Sequence, residues 1–155
     1  KQFKNRTVKK YYMALLIGKL NHEKGRIEAE IGRSFQDRKK MAVNGLNAKQ
    51  AISEFKVLER FSGEWGDFTL VEVGLLTGRT HQIRVHFESI GFPLVGDKHY
   101  GKEKVNKLME EYFGLNRQFL HAFALSFEHP VTQKKIDLKI NLSEDLQKVL
   151  AGLRK

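Results

Sequence analysis

LLTGRTHQIRVHFESIGFPLVGDKHYG, residues 75–101, is the stretch on which the rest of the chain depends. It concentrates two arginines and three histidines in one run. Its apolar start breaks at Thr77-Gly78, and Thr80 then offers an N-cap hydroxyl for a short helix that Gly91 would end. The pattern predicts a strand end, a turn and a helix in immediate succession.

The apolar residues of this predicted helix share one face. Ile83, Phe87 and Ile90 recur at helical spacing, which leaves His81 and Arg84 on a different face from the one that packs. We therefore expect a guanidinium carried by a rigid element.

A β-hairpin is predicted immediately before this stretch. Residues 51–61 and 68–76 have strand-like patterns, and residues 62–67 between them have the composition of a turn. The second strand runs directly into the turn and helix, so the sheet should anchor them.

The other elements follow from hydrophobic periodicity. Residues 11–17 are apolar in both alternating sets, which predicts a strand covered on both faces. Residues 26–31 alternate cleanly, with Ile27, Ala29 and Ile31 facing inward, which predicts a half-exposed antiparallel strand. Further predictions are a short strand at 39–43, an amphipathic helix at 105–112, a hairpin of 119–127 with 136–140, and a last helix capped by Ser143.

Length and charge limit the possible functions. The 155 residues suit a single domain, residues 1–155, and 28 Lys+Arg against 18 Asp+Glu give a net charge of +10. This excess favours a polyanionic partner, such as RNA, DNA or an anionic lipid surface, although it also suits a merely well-solvated surface. The absence of cysteine removes disulfides and thiolate chemistry and suits a reducing cytosol.

The termini and the apolar runs argue against membrane insertion or export. No stretch reaches the length of a membrane span, and the first ten residues, KQFKNRTVKK, lack the apolar centre of a signal peptide. Those residues carry five cations and no methionine at the start, so we expect the chain to begin inside a longer protein. We expect a cytoplasmic, monomeric protein.

A basic segment lies between the predicted strands. Residues 33–49 contain few apolar side chains and hold Arg38, Lys39 and Lys40 in succession. Two interpretations remain open, a loop that contacts phosphates and a solvated hairpin.

Three separated motifs resemble the RluA-type RNA pseudouridine synthases. The central one is TGRTHQIRVHFESIGFPLVGDKHYG, residues 77–101; upstream, residues 10–14 are similar to the family's K-x-Y-x-A strand, and downstream FLHAFALSFEHPVT is similar to its LHA…HP segment. The motifs occur in the family order and cover nearly the whole chain. The resemblance implies an α+β fold around a mixed, mainly antiparallel sheet with flanking short helices, and an enzyme that isomerises uridine in ribosomal or transfer RNA.

The same resemblance reveals a missing motif. The family's nucleophilic aspartate lies in an HRLD-type segment on the N-terminal side of the K-x-Y-x-A strand, and no such segment occurs in residues 1–155. Asp97 matches a different family motif, so no substitute nucleophile is nominated. We expect the chain to be the C-terminal part of a catalytic domain, inactive as it stands.

The resemblance assigns roles to several residues. Arg84 matches the arginine that pairs with the catalytic aspartate; the alternative is a helical pair with Glu88. Tyr12 matches the tyrosine against the target base, which stacks on the base or helps remove the C5 proton; the alternative is an ordinary core tyrosine. Ile83 and Leu76 are candidates for the apolar walls of the base pocket.

A phosphate site is predicted at the helix start. Arg79, Thr80 and the free backbone amides would favour an anion there, although capping alone would also explain Thr80. The implied chemistry needs no cofactor and no metal, and His81 is interpreted as a structural residue of the turn.

Two rivals to the enzyme hypothesis remain. One is a non-catalytic RNA-binding module that kept the fold and lost the nucleophile. The other is a DNA-binding domain, which would require the helix after Thr80 to expose several base-reading side chains.

Overall fold

The structure, a computed structural model, describes residues 9–155. Three of the five cations of the N-terminal segment, Lys1, Lys4 and Arg6, lie outside these residues. The strands are β1 (Lys9–Ile17), β2 (Lys24–Glu28), β3 (Ile31–Arg33), β4 (Met41–Val43), β5 (Leu46–Lys49), β6 (Ile52–Gly63), β7 (Gly66–Leu75), β8 (Leu120–Glu128) and β9 (Lys135–Lys139). The helices are α1 (Gln82–Ser89), α2 (Glu103–Phe113) and α3 (Glu144–Leu153).

The strands form two sheets. The larger sheet has the order β2-β6-β7-β1-β8-β9, and the smaller has the order β4-β3-β5. Every pairing within residues 9–155 is antiparallel, so the parallel component that a mixed sheet implies is not found in this range. The predicted α+β class with mainly antiparallel strands is confirmed.

Strand β1 lies inside the larger sheet and is covered on both faces. Ala14 and Leu16 face a core cluster that contains Phe87 of α1. Leu15 points the other way, into a cluster that contains Met109 of α2 and the buried face of α3. The two apolar sets of residues 11–17 therefore serve two separate cores, as the sequence predicted.

The predicted hairpin is formed by β6 and β7. Their pairing extends from Ser53 opposite Leu75 to Gly63 opposite Gly66, so only Glu64 and Trp65 remain in the turn. A two-residue connection is shorter than the predicted six-residue turn because the strands continue into its polar ends.

The single strand predicted at residues 26–31 is wrong. Strand β2 ends at Glu28, and Ile31 begins β3 in the smaller sheet. Ile27 and Ile31 are both buried, but in different clusters. The alternation of apolar and polar residues continues while the chain crosses from one sheet to the other, so the pattern alone cannot detect the break.

The basic segment contains more structure than was predicted. The short strand near residue 41 is confirmed as β4, and it is one edge of a three-stranded sheet in which β3 is central and β5 is the other edge. These strands are three and four residues long and have few apolar residues, so their periodicity is too weak to predict them.

The C-terminal elements agree with prediction. Helix α2 ends at Gly114, β8 and β9 form a hairpin, and Leu146, Val149 and Leu150 supply the buried face of α3. Ser143 occupies the N-cap position, but the predicted side-chain cap is wrong, because its hydroxyl donates to Asp145 Oδ1 at 2.7 Å and binds no backbone amide of the helix. A search of the helices within residues 9–155 finds none long and apolar enough to cross a membrane.

Gly96 is predicted to tolerate no side chain. Its φ is +80°, and a Cβ atom would collide with the backbone carbonyl of Arg117. Gly96→Ala should lower the free energy of unfolding by more than the roughly 1–3 kcal/mol that a left-handed backbone costs a non-glycine residue. Urea denaturation of the full-length protein measures the loss.

Gly63→Ala is the matched control. No atom lies within 4 Å of a Cβ built at Gly63, and its φ is not in the left-handed region. Its free energy of unfolding should change by about 0.5–1 kcal/mol at most. Equal effects of the two substitutions would show that the backbone at Gly96 can relax.

Candidate active site

Gln82 fixes the turn between β7 and α1. Its Oε1 accepts hydrogen bonds from the Thr77 hydroxyl at 2.8 Å and from the Arg79 backbone N–H at 3.0 Å. Its Nε2 donates to the Ile52 carbonyl at 3.0 Å and to Ser53 Oγ at 2.9 Å. Because this amide is buried and bonded at both ends, the start of α1 is tied to β6.

The predicted N-cap at Thr80 is wrong. The residue that precedes α1 is His81, which has a left-handed φ of 55° and makes no side-chain capping bond. Thr80 is exposed, and its hydroxyl has no hydrogen bond within the described part of the chain. The side chain of Gln82 instead accepts the Arg79 N–H in the turn before the helix.

Arg79 and Thr80 lie at the protein surface beside the helix start. The Arg79 Nε donates to the Gln50 carbonyl at 2.8 Å, and its backbone N–H is already bonded. The phosphate contact assigned to these residues stays a prediction, with fewer free amides than the sequence suggested.

Arg84 forms a buried, bidentate ion pair with Asp97. Nε donates to Oδ2 at 2.8 Å and Nη2 donates to Oδ1 at 2.9 Å, and the side chains are 10% and 0% exposed. The alternative pairing with Glu88 is therefore wrong. Nη1 makes no hydrogen bond to any residue that the structure describes, so one edge of the guanidinium is left for another partner.

Asp97 remains ionised although it is buried. Burial opposes its charge, but the hydrogen bonds from Arg84 and from the backbone N–H groups of Tyr100 and His99 outweigh burial and place its pKa below the usual range. The hydrogen bonds to Asp97 likewise raise the pKa of Arg84. The pair thus carries both charges across the physiological pH range.

Tyr100 connects the ion pair to the smaller sheet. The Arg84 guanidinium carbon lies 4.9 Å from the centroid of its ring. Its hydroxyl accepts the Met41 N–H at 2.9 Å and lies 2.8 Å from His81 Nδ1. Because burial and the nearby Arg84 lower the pKa of His81, its imidazole is neutral at physiological pH, and Nδ1 can accept a hydrogen bond from the Tyr100 hydroxyl.

Tyr12 lies on β1, between Val73 of β7 and Ala122 of β8. The register between β1 and β8 shifts between Tyr11 and Tyr12, so a β-bulge occurs at this residue. The half-buried Tyr12 ring packs against the cluster that contains the buried Ile83. The structure thus places two of the predicted pocket residues on one face of the sheet.

Leu76 lies just beyond β7 and is half-buried. Its backbone N–H donates to the Ile52 carbonyl at 3.1 Å, but its side chain does not belong to the cluster of Tyr12 and Ile83. Its role as a pocket wall stays a prediction.

The basic residues lie close to the ion pair. Arg38 and Lys39 are exposed on the loop between β3 and β4, and the Lys40 Nζ lies 6.0 Å from the centroid of the Tyr100 ring. Since the Arg84 guanidinium lies near the same ring, the loop and the guanidinium are neighbours. Arg84 and Lys40, one of the predicted RNA-binding cations, thus lie on the same tyrosine ring.

Asp97 and Tyr100 were not nominated as site residues. The sequence does contain a signal for Asp97, because a charged residue directly follows the apolar pair Leu94-Val95 and a glycine. A charged residue is almost never fully buried without a partner, but spacing alone does not identify a partner 13 residues away.

Helix α1 does not suit DNA recognition. Every residue from Gln82 to Phe87 is buried. A recognition helix must present several side chains to the bases, and this one has most of its length inside the protein.

Comparison with known proteins finds similarity to RNA pseudouridine synthases both in a family model and in individual sequences. A family model described as RNA pseudouridylate synthase matches residues 1–89. The uncharacterized RNA pseudouridine synthase YlyB of Bacillus subtilis is 45% identical over 154 residues, which are 99% of this chain and 47% of that protein. The ribosomal large subunit pseudouridine synthase C of Vibrio vulnificus is 37% identical over 158 residues, covering 99% of this chain and 46% of that protein.

A solved structure agrees with these sequence matches. Human RNA Pseudouridylate Synthase Domain Containing 1 superposes with a TM-score of 0.76 and 30% identity, over 99% of this chain and 68% of that one. The chain spans about half the length of the curated relatives it matches.

Proposed function

The chain belongs to the RNA pseudouridylate synthase family, and on that premise we propose that it is the C-terminal part of a single catalytic domain that converts uridine to pseudouridine. The observation that best supports this activity is the buried arginine with one edge free. The substrate would be ribosomal or transfer RNA, and the enzyme a cytoplasmic monomer that requires no cofactor.

The reaction breaks the N1–C1′ bond of uridine, rotates the uracil and joins C5 to C1′, after which C5 loses its proton and N1 takes one up. A carboxylate of the enzyme would assist the cleavage, and we propose that it comes from an aspartate outside residues 1–155. Asp97 is a poor candidate because both of its oxygens already accept hydrogen bonds. Arg84 would direct its free Nη1 edge at the incoming carboxylate and keep it ionised.

Tyr12 would contact the flipped uracil. An aromatic face compensates a pyrimidine for the stacking that it loses when it leaves the RNA helix. Its phenol could also help to remove the C5 proton, but stacking demands less of the geometry. Ile83 and Leu76 would provide apolar surface beside it, and Arg79 with Thr80 would hold a neighbouring phosphate.

The rival is a non-catalytic RNA-binding module with the same fold. The coding sequence upstream of Lys1 discriminates between the two. An HRLD-type segment within a few tens of residues supports the enzyme, and a complete reading frame without such a segment would exclude it. Mapping pseudouridines in the RNA of a deletion strain would then identify the substrate.

Neutralising the loop cations should reduce the salt dependence of RNA binding. If Arg38, Lys39 and Lys40 contact phosphates, replacing all three by glutamine should reduce the slope of log K against log salt by roughly 2–3, since each contact contributes about 0.7–0.9. Filter binding of the RNA at several salt concentrations measures the slope.

The matched control carries the same change of charge elsewhere. Lys102, Lys104 and Lys148 are exposed on the α2 and α3 side of the sheet. Their replacement by glutamine should change the slope of log K against log salt much less than replacement of the loop cations does. Equal losses from the two triple variants would mean that the loop makes no localised phosphate contacts.

A further inference from the structure

The loop between β3 and β4 has a fixed conformation. At its base, the Ser34 N–H donates to the Lys40 carbonyl at 2.9 Å, and the Lys40 N–H donates to the Asp37 carbonyl at 2.9 Å. Inside it, Ser34 Oγ accepts the N–H groups of Gln36 and Asp37, each at 3.2 Å. Turns closed by their own hydrogen bonds lose little entropy on binding, so this loop is preorganised.

Hydrogen bonds also hold the backbone at Arg38 and Lys39. Arg33 Nη1 donates to the Arg38 carbonyl at 2.6 Å across the loop, and Asp37 Oδ1 accepts the Lys39 N–H at 3.0 Å. The backbone that carries the cations is therefore stable without a ligand.

Phe35 is exposed on this loop. The exposed fraction of Phe35 is 69%. Isolated exposed apolar residues are common, so exposure alone does not indicate a function. The position of Phe35 does indicate one, because it lies on a preorganised loop between Arg33 and the cations Arg38 and Lys39 in the sequence.

The loop also lies next to the proposed catalytic arginine. The Met41 N–H, just after the loop, donates to the Tyr100 hydroxyl at 2.9 Å. Lys40 Nζ lies 6.0 Å, and the Arg84 guanidinium carbon 4.9 Å, from the centroid of that tyrosine ring. A nucleotide adjacent to a uridine bound at Arg84 would therefore be near the loop.

We propose that Phe35 is a stacking site for an unpaired RNA base that flanks the target uridine, with the loop cations on the adjoining phosphates. The proposal rests on the function proposed above. A uridine that leaves its stack exposes its neighbours, and an aromatic side chain can cover one of them whatever its identity. The surrounding positive charge favours RNA over a protein partner for Phe35.

The test separates stacking from charge with two probes, using the full-length protein. One is a 15-nucleotide single-stranded oligouridylate, and the other is an abasic ribose-phosphate oligomer of the same length. Phe35→Ala should weaken binding of the oligouridylate by about 5- to 150-fold without changing the salt slope, and should leave the abasic oligomer unaffected. Phe35→Trp should restore the binding.

Ile140→Ala is the matched control, because Ile140 is 66% exposed and lies beyond β9. Its affinity for both probes should be unchanged. Phe35→Ala that binds the oligouridylate normally, or that loses equal affinity for both probes, overturns the proposal. So does an unaltered protein that binds the oligouridylate no more tightly than the abasic oligomer, the result expected if Phe35 instead contacts a protein.

These binding measurements do not depend on isomerisation. A protein that binds through Phe35 but forms no pseudouridine would contradict the proposed function and leave the stacking site intact. An active enzyme whose Phe35→Ala variant binds the oligouridylate normally would support the proposed function and overturn the stacking site.

Discussion

Arg84→Met should reduce the isomerisation of uridine to about a hundredth or a thousandth of the original rate while most of the RNA affinity remains. The guanidinium would no longer orient the catalytic carboxylate, and loss of one preorganised electrostatic contact of this kind costs about 100- to 1,000-fold in turnover. Tritium release from RNA that contains [5-³H]uridine measures the rate, since formation of the C5–C1′ bond expels the hydrogen at C5.

A second variant separates catalysis from folding. Arg84→Met leaves the buried Asp97 without its charged partner, so the single variant should also be less stable. The double variant, Arg84→Met with Asp97→Asn, removes both charges and should regain stability without regaining turnover. Arg60→Met is the control, because Arg60 pairs with the exposed Glu23. A folded Arg84→Met enzyme with normal turnover would refute the role of Arg84.

Asp97→Asn should destabilise the protein by about 3–5 kcal/mol, since it leaves a buried guanidinium without a countercharge. It should also reduce turnover, because nothing else among the described side chains holds Arg84 by a hydrogen bond. Urea denaturation and tritium release measure the two effects. Glu59→Gln breaks the exposed pair with Arg154 and should cost about 0–1 kcal/mol.

The stabilisation that Asp97 contributes to the folded protein should be lost as the pH falls. The folded pKa lies below the unfolded one, so the unfolded chain takes up protons first as the pH falls. The contribution is complete above about pH 4, the ordinary range of a carboxyl group, and is lost as the pH falls through the folded pKa. The difference between the original protein and Asp97→Asn should therefore shrink in acid. A constant difference would mean that folding does not lower the pKa of Asp97, and a difference that grows in acid would mean that folding raises it.

Periodicity predicted the parts of the fold that depend on local pattern. Residues 11–17 revealed a strand with two covered faces, and the run from 68–76 into a helix fixed the place of Arg84. Such features follow from which neighbouring residues are apolar.

The features that sequence reasoning missed depend on contacts between distant residues. The pairing of Arg84 with Asp97 requires the turn at Gly96, and spacing along a helix suggested Glu88 instead. The helix begins at Gln82, one residue later than a cap at Thr80 predicts, and the side chain of Gln82 binds the preceding turn. Nothing in the local pattern of residues 79–82 distinguishes these arrangements.

Because the larger sheet is covered differently on its two faces, a label can be attached on the face opposite the ion pair. Helices α2 and α3 cover one face, while α1 and the ion pair lie on the other. Residues 1–155 contain no cysteine, so a single cysteine at the exposed Lys148 or Glu111 would be their only thiol. A dye or a surface linker attached there would leave the opposite face turned toward the solution, ready for single-molecule observation of RNA arriving and leaving.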